Sequence, residues 1–167
     1  MYIKAKDESK PMLMRDVFSA NATLEMKVQS ENISFPESVI GLSEITDTLV
    51  RNFNESYENI YTFCFTDSVR DESSVLACRW LVGMTDKNSG SARVGVGNYR
   101  WEFENGLAKS LIIVIETMIV LPQKNQIEVM SWLGGLPYPW VLTSAVEASV
   151  PDIDLLSEVR ANLDREF

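Results

Sequence analysis

Two long β-patterned runs, "ARVGVGNYRWEFE" (92–104) and "AKSLIIVIETMIVL" (108–121), are joined by Asn105-Gly106, and this pairing constrains the chain most. A type I′ turn needs positive φ at both central residues, which Asn and Gly tolerate, so the runs form a hairpin. Strands this long exceed the usual five or six residues, and a sheet built from them must twist and curl. A run at 74–84 precedes the hairpin and another at 126–133 follows it, with "DKNSG" (86–90) and "PQKN" (122–125) as turns. The spacing predicts a four-strand antiparallel meander. Within 74–84, Cys78, Trp80, Val82 and Met84 share one apolar face, and Arg79 points the other way.

A curled sheet leaves a concave face to cover. Residues 9–18 read as a short helix with Pro11 in its first turn, and 22–28 as a strand alternating Leu24, Met26 and Val28. Residues 33–41 read as a loop. Ser43 is a candidate cap for a helix over 44–56, with Ile45, Leu49, Val50 and Phe53 along its inward stripe. Residues 59–68 are β-rich. From Pro151 the tail reads as a C-terminal helix capped by Asp152, with Ile153, Leu156, Val159 and Leu163 on one side. The pattern predicts an α+β fold: a cone-shaped, curved antiparallel sheet wrapped around N-terminal helices, in a single domain over 1–167 with 150–167 as a helical extension.

Charge narrows the partners. A net charge of −9 repels nucleic-acid phosphates and anionic membranes, so neither is expected to bind. The apolar run 111–121 is too short to span a bilayer and contains Glu116, and no leader-like run opens the sequence, so a cytoplasmic protein is expected. Cys64 and Cys78 sit in apolar runs without metal spacing and read as reduced, buried residues. The absence of histidine removes Ser-His-Asp chemistry and most zinc sites, so no metal or cofactor is expected.

The stretches "VFSANATLEM" (17–26), "GLSEITDTLV" (41–50), "LIIVIETMIVLP" (111–122) and "WLGGLPYPW" (132–140) resemble the nuclear-transport-factor-two-like superfamily in its SnoaL-like branch, the polyketide-cyclase and ketosteroid-isomerase type of fold. The resemblance implies a cone with a hydrophobic cavity, commonly in a homodimer packed through the sheet. It covers isomerases, dehydratases, cyclases, epoxide hydrolases and non-catalytic binders, so it does not select one activity. Relatives that work through a His–Asp pair cannot lend that mechanism here. Three readings stay open: a binder of a small apolar or aromatic molecule, an isomerase, dehydratase or cyclase, and a non-catalytic homodimeric module.

Isomerase-type chemistry needs a carboxylate base and neutral donors in an apolar cavity. Glu116 interrupts an apolar run, and simple alternation puts it on one face with Ile112, Val114, Met118 and Val120. It is the candidate base, with Tyr99 as the candidate donor; the structural alternative is that Glu116 pairs with Arg79 or Arg100 on a neighbouring strand or lies on the dimer-facing side. Arg100, Glu102 and Glu116 resemble loosely the Asp-Arg-Asp set of the epoxide-hydrolase relatives, with Glu for Asp. Tyr57, Tyr61, Trp80, Trp101, Met118, Trp132 and Tyr138 are the candidate ligand-wall residues. Gly95 and Gly97, beside Tyr99 and Trp101, leave room either for a ligand or for Trp80. Pro137 and Pro139 make "LPYPW" either a packed corner at a sheet edge or a cavity rim.

Overall fold

The computed structural model describes residues 1–165. The chain opens with α1 (Tyr2–Asp7) and a 3-10 turn (Pro11–Asp16), then β1 (Phe18–Val28) and the short β2 (Ser38–Ile40). Next come α2 (Leu42–Thr46), a π turn (Asp47–Arg51) and α3 (Asn52–Ser56), which run on without a break. β3 (Tyr57–Phe65), β4 (Arg70–Glu72), β5 (Val75–Asp86), β6 (Ala92–Glu104) and β7 (Leu107–Leu121) follow. The last segments are α4 (Gln126–Gly135), β8 (Trp140–Val141), α5 (Thr143–Ser149) and α6 (Ser157–Ala161).

The sheet runs β2-β1-β7-β6-β5-β3-β8, with β4 pairing β5, and it curves without closing. β5, β6 and β7 are the anticipated antiparallel meander, and Asn105 and Gly106 both take positive φ at the tight turn. β1 joins β7 in parallel and β8 joins β3 in parallel, so the flanks of the sheet are mixed. The buried stripe of the 42–56 rod is Ile45, Leu49, Val50 and Phe53, as its spacing predicts.

Residues 126–133, expected as a fourth meander strand, are helical instead. The segment "QIEVMSWL" satisfies both periods: Ile127, Val129 and Leu133 alternate, while Val129, Trp132 and Leu133 recur at three and four residues. A 3-10 turn at Gln123–Asn125 takes the chain off the sheet, which leaves Ile127 exposed and buries the helical stripe. Gly83 provides the seat, because a β-carbon there would lie 2.0 Å from Leu133 Cδ1. Residues 9–18 form only a tight 3-10 turn, and 33–41 contains β2. The tail is helical at Asp154–Leu156 and in α6; the last two residues of the expected helix lie outside the described residues.

Two apolar cores result, one on each side of the sheet. On the concave side Tyr2, Phe18, Leu24, Ile45, Trp80 and Tyr99 pack between sheet and N-terminal helices. On the convex side Phe63, Leu81, Val96, Leu133, Val146 and Val159 pack between sheet and C-terminal helices. No helix among the described residues is long and apolar enough to cross a membrane.

Candidate functional site

Glu116 lies at a β-bulge. Val96 pairs with Thr117 and Gly97 with Ile115, so Glu116 has no partner residue on β6. A bulge breaks the alternation of faces. Met118 therefore turns into the concave core, while Glu116 and Thr117 both meet convex-side partners. There the Arg79 guanidinium donates to both Glu116 carboxylate oxygens, at 3.1 and 2.9 Å, and Asn98 Nδ2 adds a bond of 3.1 Å. Arg79 also donates to the backbone carbonyls of Asn162 and Leu163, so the pair ties the tail to the sheet. Tyr99 is in the concave core. The geometry thus corrects the shared face expected for Glu116 and Met118, and it separates Glu116 from Tyr99 by the thickness of the sheet. Glu102 pairs instead with Lys109 at 2.9 Å, so no acid-Arg-acid cluster forms with Arg100.

The concave side holds two spaces. The inner one, between sheet and helical rod, measures about 40 Å³ and is lined by Lys6, Phe53, Trp80, Tyr99 and Met118 among others. That volume suits a few waters, not an ordinary ligand of several hundred Å³. The outer one is a groove of about 370 Å³ walled by Tyr2, Tyr99, Trp101, Phe103, Tyr138 and Trp140. Larger hollows along β1 and beside Asp67 and Arg70 are lined mainly by charged and hydroxyl side chains.

Helix α1 explains why the cone is nearly full. Tyr2 and Lys6 turn into the concave core one helical turn apart, and Ala5 is wholly buried beside them. The Tyr2 ring lies 5.1 Å from Trp101, 5.8 Å from Tyr99 and 6.5 Å from Phe18. Burial pushes the Tyr2 and Tyr99 phenols well above their ordinary range, and their hydroxyls share a hydrogen bond. Lys6 Nζ donates to Asp7 Oδ1 at 2.6 Å and to Thr62 Oγ1 at 2.7 Å, with the Phe53 ring 5.0 Å away. Asp7 accepts from the Thr62 backbone N–H at 2.7 Å, the Thr62 hydroxyl at 2.9 Å and the Tyr138 hydroxyl at 3.1 Å.

The last bond accounts for "LPYPW". The Tyr138-Pro139 peptide is cis, the Pro139 carbonyl accepts from the Cys64 N–H at 2.9 Å, and Trp140 pairs with Cys64 along the edge of β3. The segment is at once a strap over the sheet edge and the rim of the groove, with Tyr138 and Trp140 each more than 40% exposed. Cys64 and Cys78 are free and buried on the groove floor; the Cys64 thiol donates to the Cys78 sulfur, and that bond together with burial raises the Cys64 pKa.

The wall residues anticipated from sequence divide into three groups. Trp101 and Tyr138 meet Tyr99, the candidate donor, in the groove, while Trp80 and Met118 line the inner hollow with Tyr99. Tyr57, Tyr61 and Trp132 line neither space. Tyr57 packs on Phe53 at 5.0 Å with Arg93 over its ring. Tyr61 stacks on Phe63, and Trp132 Nε1 donates to Ser149 Oγ at 3.1 Å behind the sheet. Sequence reasoning missed Tyr2, Lys6, Asp7 and Trp140. The signal for the first two was the recurrence of Tyr2, Ala5 and Lys6 at three and four residues, a short helical stripe in a charged segment.

This order of helices, crossed by one curved sheet, is the nuclear-transport-factor-2-like fold. An NTF2-like protein from Burkholderia thailandensis superposes with a TM-score of 0.56 at 12% identity, over 68% of this chain and 84% of that one. A protein of ketosteroid isomerase-like fold from Catenulispora acidiphila, in complex with trimethylamine, gives 0.55 at 11%, over 67% and 79%. A LEH-like epoxide hydrolase of M. tuberculosis gives 0.52 at 8%, over 68% and 76%. The sequence itself matches no family model and no curated protein.

Proposed function

We propose that this protein binds a small planar aromatic or otherwise apolar molecule in the groove between α1, β5–β6 and the 136–140 strap. The observation that carries this reading is a concavity of about 370 Å³, within the range of small-ligand sites, walled by six aromatic side chains. Two of its rings, Tyr138 and Trp140, stay substantially exposed, and large exposed aromatics on a protein surface mark contact sites. Residues from α1 and from the strap meet in the groove, so the reading treats the chain as one functional unit.

The carboxylate-plus-tyrosine reading keeps less support. Glu116 is saturated by Arg79 and Asn98 behind the sheet, and Asp7, the carboxylate nearest the groove tyrosines, is occupied by Lys6, Thr62 and Tyr138. We propose that the homodimer implied by the resemblance forms through the convex face around Ile112 and Val114, which stay partly exposed. Sedimentation equilibrium of an Ile112→Glu variant tests it: dissociation supports the assignment, and an unchanged dimer contradicts it.

The functional reading is tested by a thermal-shift panel of planar aromatic and aliphatic compounds. Ligand at a hundred times its Kd adds about 2.7 kcal/mol to stability, a shift of several degrees. Aromatic members are expected to raise Tm, and Trp140→Ala is expected to abolish the shift. A panel in which nothing raises Tm, or in which Trp140→Ala responds like the parent, contradicts it.

A further inference from the structure

The two cysteines of the chain meet at one point of the sheet. Cys64 of β3 stands opposite Trp80 of β5, and Cys78 lies two residues before Trp80 on the same face of β5. The two side chains are therefore diagonal neighbours on the concave face, and the Cys64 thiol donates to the Cys78 sulfur. Both thiols are free.

Three features distinguish this pair from inert core thiols. Both residues line the groove floor, and at 4% and 1% exposure they are open to a reagent the size of a peroxide and closed to a bulky one. The S–H donated by Cys64 favours the thiolate of Cys78 and lowers its pKa against the opposing effect of burial, and the thiolate is the nucleophile. Cys78 also falls at a break in the ladder. Pairing of β3 with β5 ends at Cys64 and Trp80, and β4 takes over at Ala77, so among the described residues none pairs with Cys78 on that side. Diagonal neighbours stand about 7–8 Å apart and a disulfide spans up to about 6.8 Å, so a bond needs a small approach of the strands, which the break permits.

We infer that Cys64 and Cys78 form a redox-active dithiol that a small hydroperoxide closes to an intramolecular disulfide, with Cys78 as the attacking sulfur and Cys64 as the resolving one. The Cys78 thiolate attacks the terminal peroxide oxygen, the O–O bond breaks, and the leaving oxyanion takes up the proton that Cys78 released. Cys78 is then a sulfenic acid. The Cys64 sulfur attacks it, the S–O bond breaks, and the departing hydroxide leaves as water with the Cys64 proton. Two thiols have lost two electrons in sum, and one hydroperoxide has become water and an alcohol, or a second water. An external dithiol reverses the step by exchange. The chemistry needs no occupant of the groove, so it stands or falls apart from the ligand reading.

Hydrogen peroxide is the probe, applied to the whole folded chain. Catalase ends the exposure, and iodoacetamide in urea then counts the thiols left. The wild type is expected to go from two free thiols per chain to none, to yield a peptide joining Cys64 to Cys78, and to recover both thiols in dithiothreitol. Dimedone added with the urea traps sulfenic acid and separates the roles. In Cys64→Ser, whose hydroxyl still donates, it is expected to label Cys78. In Cys78→Ser it is expected to label Cys64 about tenfold less, the change in thiolate fraction for one pKa unit. Melting curves accompany both variants, alanine replaces serine where a variant does not fold, and the wild-type count needs no variant. Thiols that survive peroxide in the folded wild type, thiols lost without the joined peptide, or disulfides found only between chains overturn the dithiol. Equal labelling in the two variants overturns Cys78 as the attacking sulfur.

Discussion

At Gly97 a β-carbon would meet the Val114 carbonyl oxygen at 1.9 Å and the Trp80 ring at 2.6 Å. The sequence left open whether this glycine made room for a ligand or for a ring, and the close approach of Trp80 and β7 backbone decides for packing. Gly97→Ala is expected to destabilise by about 3 kcal/mol, the upper end of overpacking costs, because one of the two obstacles is backbone. Urea denaturation measures this; a loss below about 1 kcal/mol contradicts the packing. Glu116 was misplaced because strict alternation cannot register a bulge, which leaves no mark in composition. Its partner Arg79, 2% exposed, loses its countercharge in Glu116→Gln. That variant is expected to lose about 3 kcal/mol of stability and to keep its ligand affinity, since the pair lies on the opposite side of the sheet from the groove. Affinity lost by tenfold or more in a folded Glu116→Gln protein would bring Glu116 back into the site.

At the scale of elements, α1 decides how the cone is used. Its stripe is too short for periodicity to register against the charges around it, and its docking depends on Thr62, Tyr99 and Tyr138, all distant in sequence. The long strands and the 42–56 rod were legible because each repeats its pattern over many residues; α4 was not, because its first eight residues fit either period. Docking of α1 also has a pH signature. Tyr2 and Tyr99 have raised folded-state pKa values, so their contribution to stability is present below the unfolded value of about 10 and is lost as the pH rises from there through the folded values. The urea midpoint is expected to fall between pH 9.5 and about 11, and to fall less in Tyr2→Phe. An identical alkaline decline in parent and variant contradicts the burial of the Tyr2 hydroxyl in the folded state.

For the whole molecule, one curved sheet serves two cores. The convex side is covered in part by α4–α6 and stapled by Arg79, while the concave side is plugged by α1 and opens to solvent along the groove. Composition and hairpin chemistry disclosed the curved sheet and its concave apolar face. They could not disclose that the chain's own first helix fills the space a cone is expected to leave empty, because that depends on which residues meet across the fold. The methionines report on both spaces: Met1 lies at the groove, while Met26, Met84 and Met118 line the inner hollow. The most direct test is a titration of 2-methylnaphthalene followed by the ¹³C-labelled methionine methyl signals. The account predicts that the Met1 methyl shifts while those of Met26, Met84 and Met118 stay in place. Movement of the three inner methyls with Met1 unchanged would contradict it.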